Sequence, residues 1–280
     1  MILPVNPRRF VSRVAWMAPV ALMLLLCQCA SSGISTPPEG VSDVENTWRQ
    51  ARIYLPDGAG GVRHLRMDDP EVGTWGEGQW TLPLILYMHG CAGLHGGDEK
   101  AITYVAEQGF LVIAPDSFAR RSRPLQCDPR TQTGGHNLFV YDFRQAEINY
   151  AVQQLRGLSW LKADKMVLFG VSEGGVAAAT YRGDVFDGRI ITLWTCHGGP
   201  LVAGLAAPRD EPVLSIVQAE DPWYAEGRAR KQDGDCGAFF DGRPNATSLV
   251  LNDGEQHNIF DSSRAREAIA AFLAGVLNAP

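Results

Sequence analysis

Short, continuous runs of apolar residues constrain the fold of this chain more than any other feature of its sequence. LPLILYM (residues 82–88), FLVIA (110–114) and MVLF (166–169) each stop at a glycine, a proline or a His-Gly pair. A strand buried on both faces has this pattern, because both of its sides must be apolar. The runs therefore predict a mostly parallel central sheet with helices on both faces.

Segments with helical periodicity alternate with these and with shorter strand-like runs. Helices are predicted over residues 98–108, 139–155 and 262–277, with a further helix beginning near residue 176. Shorter strands are predicted over residues 52–55, 62–67, 189–195, 213–218 and 248–251, the first two as an antiparallel hairpin. This alternation, without an internal repeat, predicts a single α/β domain.

Composition excludes several other classes of protein. Of the 280 residues, 45% are hydrophobic and 20% are charged, which is enough apolar material for a large core and excludes a disordered chain. The net charge of −6 argues against a nucleic-acid-binding protein, which normally presents a basic face.

The first 29 residues have the pattern of a secretory signal peptide. Arg8, Arg9 and Arg13 precede an apolar run, residues 14–26, that is short for a transmembrane helix. Residues 30–46 are rich in Ser, Gly and Pro near their start and are predicted to form a flexible linker, so that the folded domain covers residues 47–280.

The type of cleavage stays open between two alternatives. Leu26-Cys27-Gln28-Cys29 resembles a bacterial lipoprotein box, in which a lipidated cysteine becomes the first residue. Ordinary secretion would instead remove both cysteines with the signal peptide. Both alternatives predict export to the periplasm or the medium, and the first adds a lipid that holds the protein at a bacterial membrane.

Four cysteines remain in the body of the chain: Cys91, Cys127, Cys196 and Cys236. An exported protein can pair them as disulfides, but three pairings are open and the sequence does not choose among them. Their spacing matches no zinc motif, so no metal is predicted.

The pentapeptide Gly170-Val171-Ser172-Glu173-Gly174 carries the strongest chemical signal. It directly follows the MVLF run and precedes a helical stretch, which is the context that a nucleophile elbow requires. The turn is tight, so small residues must flank the serine, and a helix N-terminus favours negative charge nearby. Ser172 is the candidate nucleophile, and a glycine-rich turn with an idle serine is the alternative.

A serine hydroxyl is a weak nucleophile and needs a base and an orienting carboxylate. His257 lies between the last predicted strand and the final helix and is preferred to the other histidines, which are His64, His89, His95, His136 and His197. Asp221, in the turn after the strand over residues 213–218, is the preferred carboxylate, with Glu220 as its rival. Asp116 and Asp253 are expected to shape their own turns, and His89 its loop.

Backbone amides are expected to stabilise the oxyanion of an acyl-transfer reaction. One is the amide of Glu173, next to the nucleophile, and the other is that of Cys91, where Gly90 and Gly93 let the chain turn sharply. The thiol of Cys91 is not favoured as the nucleophile, because no histidine is implied beside it.

Three further residues are candidates for substrate binding. Arg120 and Arg121 lie in a long segment, residues 117–137, that follows a strand and contains several arginines. An arginine there can hold a substrate carboxylate, although a solvated basic loop explains the pattern as well. Trp223 follows Asp221 closely and is predicted either to line the pocket or to pack beside it.

The segments HGCAG, FLVIAPDSFARR, GVSEGG, QAEDP and DGEQH, within residues 80–277, together resemble the dienelactone hydrolase family of the α/β-hydrolase superfamily. The resemblance implies the α/β-hydrolase fold, with Ser172, Asp221 and His257 as a catalytic triad. Dienelactone hydrolase itself uses a cysteine nucleophile, so Ser172 is typical of the serine branch.

What the resemblance implies is two-step hydrolysis of a small carboxylic ester or lactone without a cofactor. Two other functions remain open: a peptidase of the prolyl oligopeptidase kind, and a non-catalytic envelope lipoprotein that retains the fold. The first would normally carry a large extra domain, and the second would not need an intact Ser, acid and His.

Overall fold

The computed structural model describes residues 39–94, 96–128, 130–135, 139–197, 203–223, 235–253 and 257–279. The predicted signal peptide and residues 30–38 of the predicted linker lie outside this part of the chain. Helix α1, Asp43–Arg49, begins within the predicted linker, because the Ser42 side chain accepts the Glu45 amide and caps the helix. Residues 43–46 therefore belong to the folded part, and Asn46 is buried.

Twelve strands are present in the described residues, most of them in one central sheet. In chain order they are β1 Arg52–Pro56, β2 Val62–Arg66, β3 Trp80–Thr81, β4 Leu84–Met88, β5 Leu111–Ala114, β6 Cys127–Asp128, β7 Thr133–Gly134, β8 Leu161–Lys162, β9 Met166–Val171, β10 Gly188–Thr192, β11 Val213–Gln218 and β12 Ala246–Leu251. The central sheet has eight strands in the order β12-β11-β10-β9-β4-β5-β1-β2. The other four form two small two-stranded sheets, β3 with β8 and β6 with β7.

The central sheet is mostly parallel, as the apolar runs predict. All neighbours from β12 to β5 pair in parallel. The predicted hairpin, β1 and β2, is antiparallel. Its strand β2 is the outermost strand of the sheet, and β1 pairs with β5. The parallel strands place their carboxyl ends along one edge of the sheet, and the loops that follow them meet there.

Helices cover both faces of this sheet. Besides α1 they are α2 Gly97–Glu107, α3 Val140–Leu155, α4 Glu173–Thr180 and α5 Ser263–Asn278. One apolar core contains residues of α1, α3 and α4, and the other contains residues of α2 and α5. Neighbouring residues of β4, Ile85 and Leu86, enter opposite cores because side chains alternate along a strand. Among the described helices, none combines the length and the hydropathy needed to span a bilayer.

Two boundaries differ from the sequence-based expectation for a backbone reason. Strand β10 ends at Thr192 rather than at residue 195, because Leu193 has a positive φ angle of 56°, outside the extended range of a regular strand. Helix α4 begins at Glu173 rather than near residue 176, because the turn at Ser172 starts it directly despite the low helix propensity of the glycines that follow.

The four body cysteines form two disulfides, Cys91–Cys127 and Cys196–Cys236, with Cα–Cα distances of 5.3 and 4.8 Å. This is one of the three pairings that the sequence leaves open. The first disulfide connects the segment after β4 to β6, and the second connects the segment after β10 to a short 3-10 helix, Cys236–Phe239.

Candidate active site

Ser172 occupies the sharp turn between β9 and α4. Its backbone has φ 55° and ψ −115°, a conformation that residues with a side chain rarely adopt. Its amide donates to the Thr192 carbonyl (2.8 Å), and its carbonyl accepts the Val176 amide (3.0 Å), so both ends of the turn are held. Such strain persists only where the surrounding structure fixes it, and it concentrates at functional positions.

The two glycines of the pentapeptide are required by close approach of backbone to backbone. A Cβ atom on Gly170 would lie 2.1 Å from the Gly174 carbonyl oxygen, and one on Gly174 would lie 2.0 Å from that of Met88. Any side chain at either position would therefore push α4 away from β9 and β4. This is the physical reason that the sequence places glycine on both sides of Ser172.

The structure brings Ser172, His257 and Asp221 together, although they are far apart in the chain. His257 Nε2 lies 2.8 Å from Ser172 Oγ, and His257 Nδ1 lies 2.6 Å from Asp221 Oδ2. Asp221 is fully buried, and its other oxygen accepts the Trp223 amide (2.9 Å). Because the Asp221 carboxylate accepts a hydrogen bond from Nδ1, the imidazole proton lies on that nitrogen. Nε2 is then the acceptor for the serine hydroxyl.

The rival carboxylates have other partners or point to solvent. Glu220 is exposed. Asp253 accepts the Ser262 hydroxyl (2.5 Å), a hydrogen bond that holds the pKa of Asp253 below its usual value. Asp116 caps the 3-10 helix at Ser117–Ala119 by accepting the Phe118 amide (2.9 Å). The expectation that Asp116 shapes its own turn agrees with these contacts, whereas the Asp253 side chain contacts Ser262, which caps α5, rather than its own turn.

The segment that carries Cys91 lies against the serine turn. A Cβ atom on Gly90 would be 3.5 Å from that of Ser172, and Cys91 and Ser172 line the same cavity. Glu173 is the first residue of α4, so its amide has no acceptor within the helix. The Cys91 sulfur is in a disulfide and is therefore not a free thiol.

A cavity of about 230 Å³ opens at Ser172. Most of its wall is apolar or backbone; it is lined by Gly90, Cys91, Ala92, Gly97, Asp98, Val171, Ser172, Leu193, His257, Asn258 and Phe260. The Asp98 carboxylate accepts the Tyr87 hydroxyl (2.9 Å) and the Gly90 amide (3.2 Å), which holds the turn after β4. Burial, and then the charge of Asp98, raises the pKa of Tyr87 far above its usual value, so this hydroxyl remains a donor.

The structure does not bring Arg120 or Arg121 to this cavity. Arg120 is buried, donates to Glu147 (2.8 Å) and lies over the Phe143 ring, because α3 offers a buried carboxylate beneath the segment. The Arg121 amide donates to the Asp43 side chain (3.2 Å), which places it beside α1. Trp223 also lies outside the cavity lining, but its ring centroid is 5.7 Å from that of His257.

Sequence reasoning missed Arg144, a fully buried residue of α3. Its guanidinium donates to Glu173 Oε1 from Nε (3.0 Å) and Nη2 (2.7 Å), directly behind the serine turn. No local pattern indicates this contact, since the two residues are 29 positions apart. No group of three potential metal-ligating side chains occurs in the part of the chain that the structure describes.

No protein-family model and no curated protein sequence matches the chain. Solved structures do. The esterase Pf2001 from Pyrococcus furiosus is 13% identical, with a TM-score of 0.51, covering 70% of this chain and 83% of its own. Est1E from Butyrivibrio proteoclasticus, solved with ferulic acid bound, is 15% identical, with a TM-score of 0.51, covering 82% and 95%. The chain has the α/β-hydrolase fold. A protein assigned as a dienelactone hydrolase from Klebsiella pneumoniae is also similar, at 14% identity and a TM-score of 0.48, covering 71% and 88%.

The α/β-hydrolase fold predicted from the sequence is thus confirmed. Within it, Ser172 follows β9, Asp221 follows β11 and His257 follows β12. These three strands are parallel, so their carboxyl ends deliver the three side chains to the same edge of the sheet.

Proposed function

We propose that this chain is a serine hydrolase that cleaves small carboxylic esters or lactones through an acyl-enzyme on Ser172. The observation that carries the proposal is the continuous hydrogen-bonded chain from Ser172 through His257 to Asp221, at 2.8 and 2.6 Å. A hydroxyl, an imidazole and a buried carboxylate in this order form the arrangement that activates serine for acyl transfer.

In the first step Ser172 Oγ attacks the carbonyl carbon, and its proton passes to His257 Nε2. The carbonyl electron pair moves onto oxygen, and Asp221 stabilises the imidazolium. When the carbonyl re-forms, the bond to the alkoxy oxygen breaks and that oxygen takes the proton from Nε2. The alcohol leaves, or stays attached to the acyl group if the substrate is a lactone. Water then repeats the sequence on the acyl-enzyme and releases the acid.

The negative oxygen of the tetrahedral intermediate requires donors already in place. We assign this role to the backbone amides of Cys91 and Glu173, which lie on the two segments that border Ser172. Loss of one such donor costs about 3 kcal/mol of transition-state stabilisation, or a factor of roughly 10² in kcat.

The cavity supports a small, uncharged acyl group. At about 230 Å³ it lies below the range typical of drug-sized ligands, and its side chains are largely apolar. The Asp98 carboxylate in its wall disfavours anionic substrates. Arg120 and Arg121 are not proposed to hold a substrate carboxylate, whereas Trp223, beside His257, remains a candidate for substrate contact.

Covalent labelling by a fluorophosphonate, together with hydrolysis of short p-nitrophenyl esters, tests the proposal. We expect the wild-type protein and a Ser215→Ala variant to be labelled and active, since Ser215 is a buried serine within β11. Ser172→Ala should lose both properties. Absence of labelling in the folded wild-type protein would refute the proposal in favour of a non-catalytic binding protein. Faster cleavage of peptide amides than of esters would favour a peptidase.

The role of Asp221 has its own matched pair of variants. Asp221→Asn should lower kcat by roughly 10⁴, because an amide at this position selects the wrong imidazole tautomer. Glu220→Gln removes the same charge one residue away, at an exposed position, and should leave kcat unchanged. Equal losses in the two variants would contradict the assignment.

We propose further that the protein is exported and loses its signal peptide. Cleavage after residue 29 gives a periplasmic or secreted protein, whereas cleavage directly before Cys27 or Cys29 leaves an N-terminal cysteine whose lipid anchors the protein to a bacterial membrane. The two disulfides support an oxidising compartment. Intact mass of the mature protein from a bacterial host distinguishes the alternatives, since a lipidated N-terminal cysteine adds the mass of its acyl chains. A mature protein that retains residues 1–29 would contradict export by cleavage.

A further inference from the structure

A single buried guanidinium contacts both segments that border the nucleophile. Arg144 of α3 is fully buried, and its Nη2 donates to Glu173 Oε1 (2.7 Å), the His89 carbonyl (3.1 Å) and the Gly90 carbonyl (3.4 Å). Glu173 opens α4, and His89 and Gly90 directly precede Cys91. One planar group therefore connects Glu173, which carries one proposed oxyanion amide, to the two residues before Cys91, which carries the other.

The other side of the guanidinium is held just as firmly. Its Nη1 donates to the Ser117 hydroxyl and lies 3.5 Å from Glu147 Oε2. His89 Nε2 accepts the Ser117 amide (3.1 Å) and lies 3.2 Å from the same Nη1. The His89 proton therefore lies on Nδ1, which donates to the Gly90 carbonyl (2.7 Å) and adds a further restraint to that turn.

The charges in this cluster favour a permanent cation at its centre. Burial lowers the pKa of Arg144, but the carboxylates of Glu173 and Glu147 outweigh burial and raise it above its usual value. The arginine guanidinium is planar, always charged and has several donors in fixed directions, so it can bind a carboxylate and two carbonyl oxygens at once. The ammonium group of a lysine cannot bind them with the same geometry.

The chain also contains a buried arginine that has structural contacts alone. Arg189, at the start of β10, is fully buried and forms a two-pronged pair with Glu211, both at 2.9 Å. It also donates to the carbonyls of Ala178 and Tyr181 (both 2.7 Å), at the far end of α4 from Ser172. Neither Arg189 nor Glu211 lines the cavity. Arg189 thus matches Arg144 in burial and pairing and differs in place.

We propose that Arg144 is a positioning residue for the reaction: it fixes the turn after β4 against the start of α4 and thereby sets the separation of the Cys91 and Glu173 amides. It touches neither the substrate nor the reacting atoms. This inference rests on the proposed hydrolase function, because an oxyanion site has meaning only in that reaction. A buried ion pair is not needed for stability alone, since well-packed apolar residues can replace one without loss.

Arg144→Lys and Arg189→Lys, compared in the purified full chain, test the proposal. Both variants lose the planar fork and should lose similar stability. Only Arg144→Lys should lower kcat with a short p-nitrophenyl ester, by roughly 10- to 100-fold, with KM changed less than threefold. A misplaced donor weakens binding of the oxyanion in the transition state and leaves binding of the neutral ester nearly unchanged.

Inhibition by an alkyl trifluoromethyl ketone distinguishes a positioning role of Arg144 from a purely structural one. Its adduct with Ser172 carries the same tetrahedral oxyanion, so its inhibition constant should rise in Arg144→Lys by the same factor as kcat/KM falls. The pH at which kcat/KM is half-maximal should stay at its wild-type value, because the Ser172–His257–Asp221 contacts are intact. Circular dichroism at the assay temperature verifies that both variants are folded.

Several results would overturn the inference. One is a kcat for Arg144→Lys within twofold of wild type, and another is an equal loss in both lysine variants. A ketone inhibition constant that stays unchanged while kcat falls would have the same effect. If Arg144→Lys does not fold, Glu173→Gln replaces it, since it keeps the side-chain volume and should again lower kcat at constant KM. Failure of the proposed function itself would appear earlier, as a wild-type protein that neither labels with fluorophosphonate nor cleaves esters.

Discussion

The two disulfides offer a comparison in which stability and activity should separate. Cys91–Cys127 joins residues 36 positions apart, and Cys196–Cys236 joins residues 40 positions apart. In the loop-entropy model, cross-links of these lengths each remove about 4 kcal/mol of chain entropy from the unfolded state. The double variants Cys91→Ala/Cys127→Ala and Cys196→Ala/Cys236→Ala should therefore lose nearly equal stability, about 4 kcal/mol each.

Their activities should differ, because only the first disulfide holds a cavity-lining residue. Without it, the Cys127 amide still donates to the Cys91 carbonyl (3.0 Å), so that segment is loosened rather than released. We expect kcat to fall several-fold to tenfold in the first double variant and to stay within twofold of wild type in the second. Initial rates with p-nitrophenyl acetate at a temperature where both variants are folded measure this difference.

Urea unfolding of the oxidised proteins measures the stability change. The free energy of unfolding should fall in both variants, and the denaturant dependence should rise slightly because the unfolded chain expands once a cross-link is lost. A loss below 1 kcal/mol in one variant beside about 4 kcal/mol in the other would refute the loop-length reasoning. Equal losses of activity would refute the proposed role of the Cys91–Cys127 disulfide in holding the cavity wall.

Three further predictions concern the turn, the pH dependence and the core. Gly174→Ala places a Cβ atom 2.0 Å from the Met88 carbonyl, so it should lower both kcat and the urea midpoint, and a protein of unchanged activity would contradict the close approach. Burial, and then the charge of Glu173, raises the pKa of Tyr141 to about 12, so the folded state keeps a proton that the unfolded state releases near pH 10. Stability should therefore fall as pH rises from about 10 to 12, by at most about 3 kcal/mol, and Tyr141→Phe should flatten this part of a urea-midpoint profile against pH. Ile269→Ala, in the buried face of α5, should cost about 2–5 kcal/mol of unfolding free energy with kcat unchanged, and a parallel loss of kcat would show that α5 supports the site.

The sequence predicts this fold well where burial and covalent geometry act locally. The runs that become β4, β5 and β9 are apolar on both sides because each is covered on both faces, and that pattern is visible without the structure. The turn at Ser172 is visible because two glycines are forced on it by close backbone contacts. His257 and Asp221 follow from their places after strands whose carboxyl ends share one edge.

What the sequence does not predict depends on contacts between distant residues. An arginine normally faces solvent, and the buried carboxylates of Glu173 and Glu147 reverse this expectation for Arg144 of α3 and for Arg120, which follows the 3-10 helix at Ser117–Ala119. Residues 117–137 are predicted as a basic segment over the pocket because the sequence alone does not show that Arg120 pairs with the distant Glu147. The disulfide pairing likewise depends on how the loops after β4 and β10 are brought to their partners, which chain spacing alone does not determine.

The backbone at Ser172 has a consequence for anyone who evolves this protein in the laboratory. A φ of 55° is unfavourable for serine and free of penalty for glycine, which has no Cβ atom. The backbone at this position therefore favours glycine, which has no hydroxyl to act as a nucleophile. A library selected only for heat resistance would therefore enrich the change that abolishes turnover. Directed evolution of this scaffold needs a screen that rewards product formation in every round.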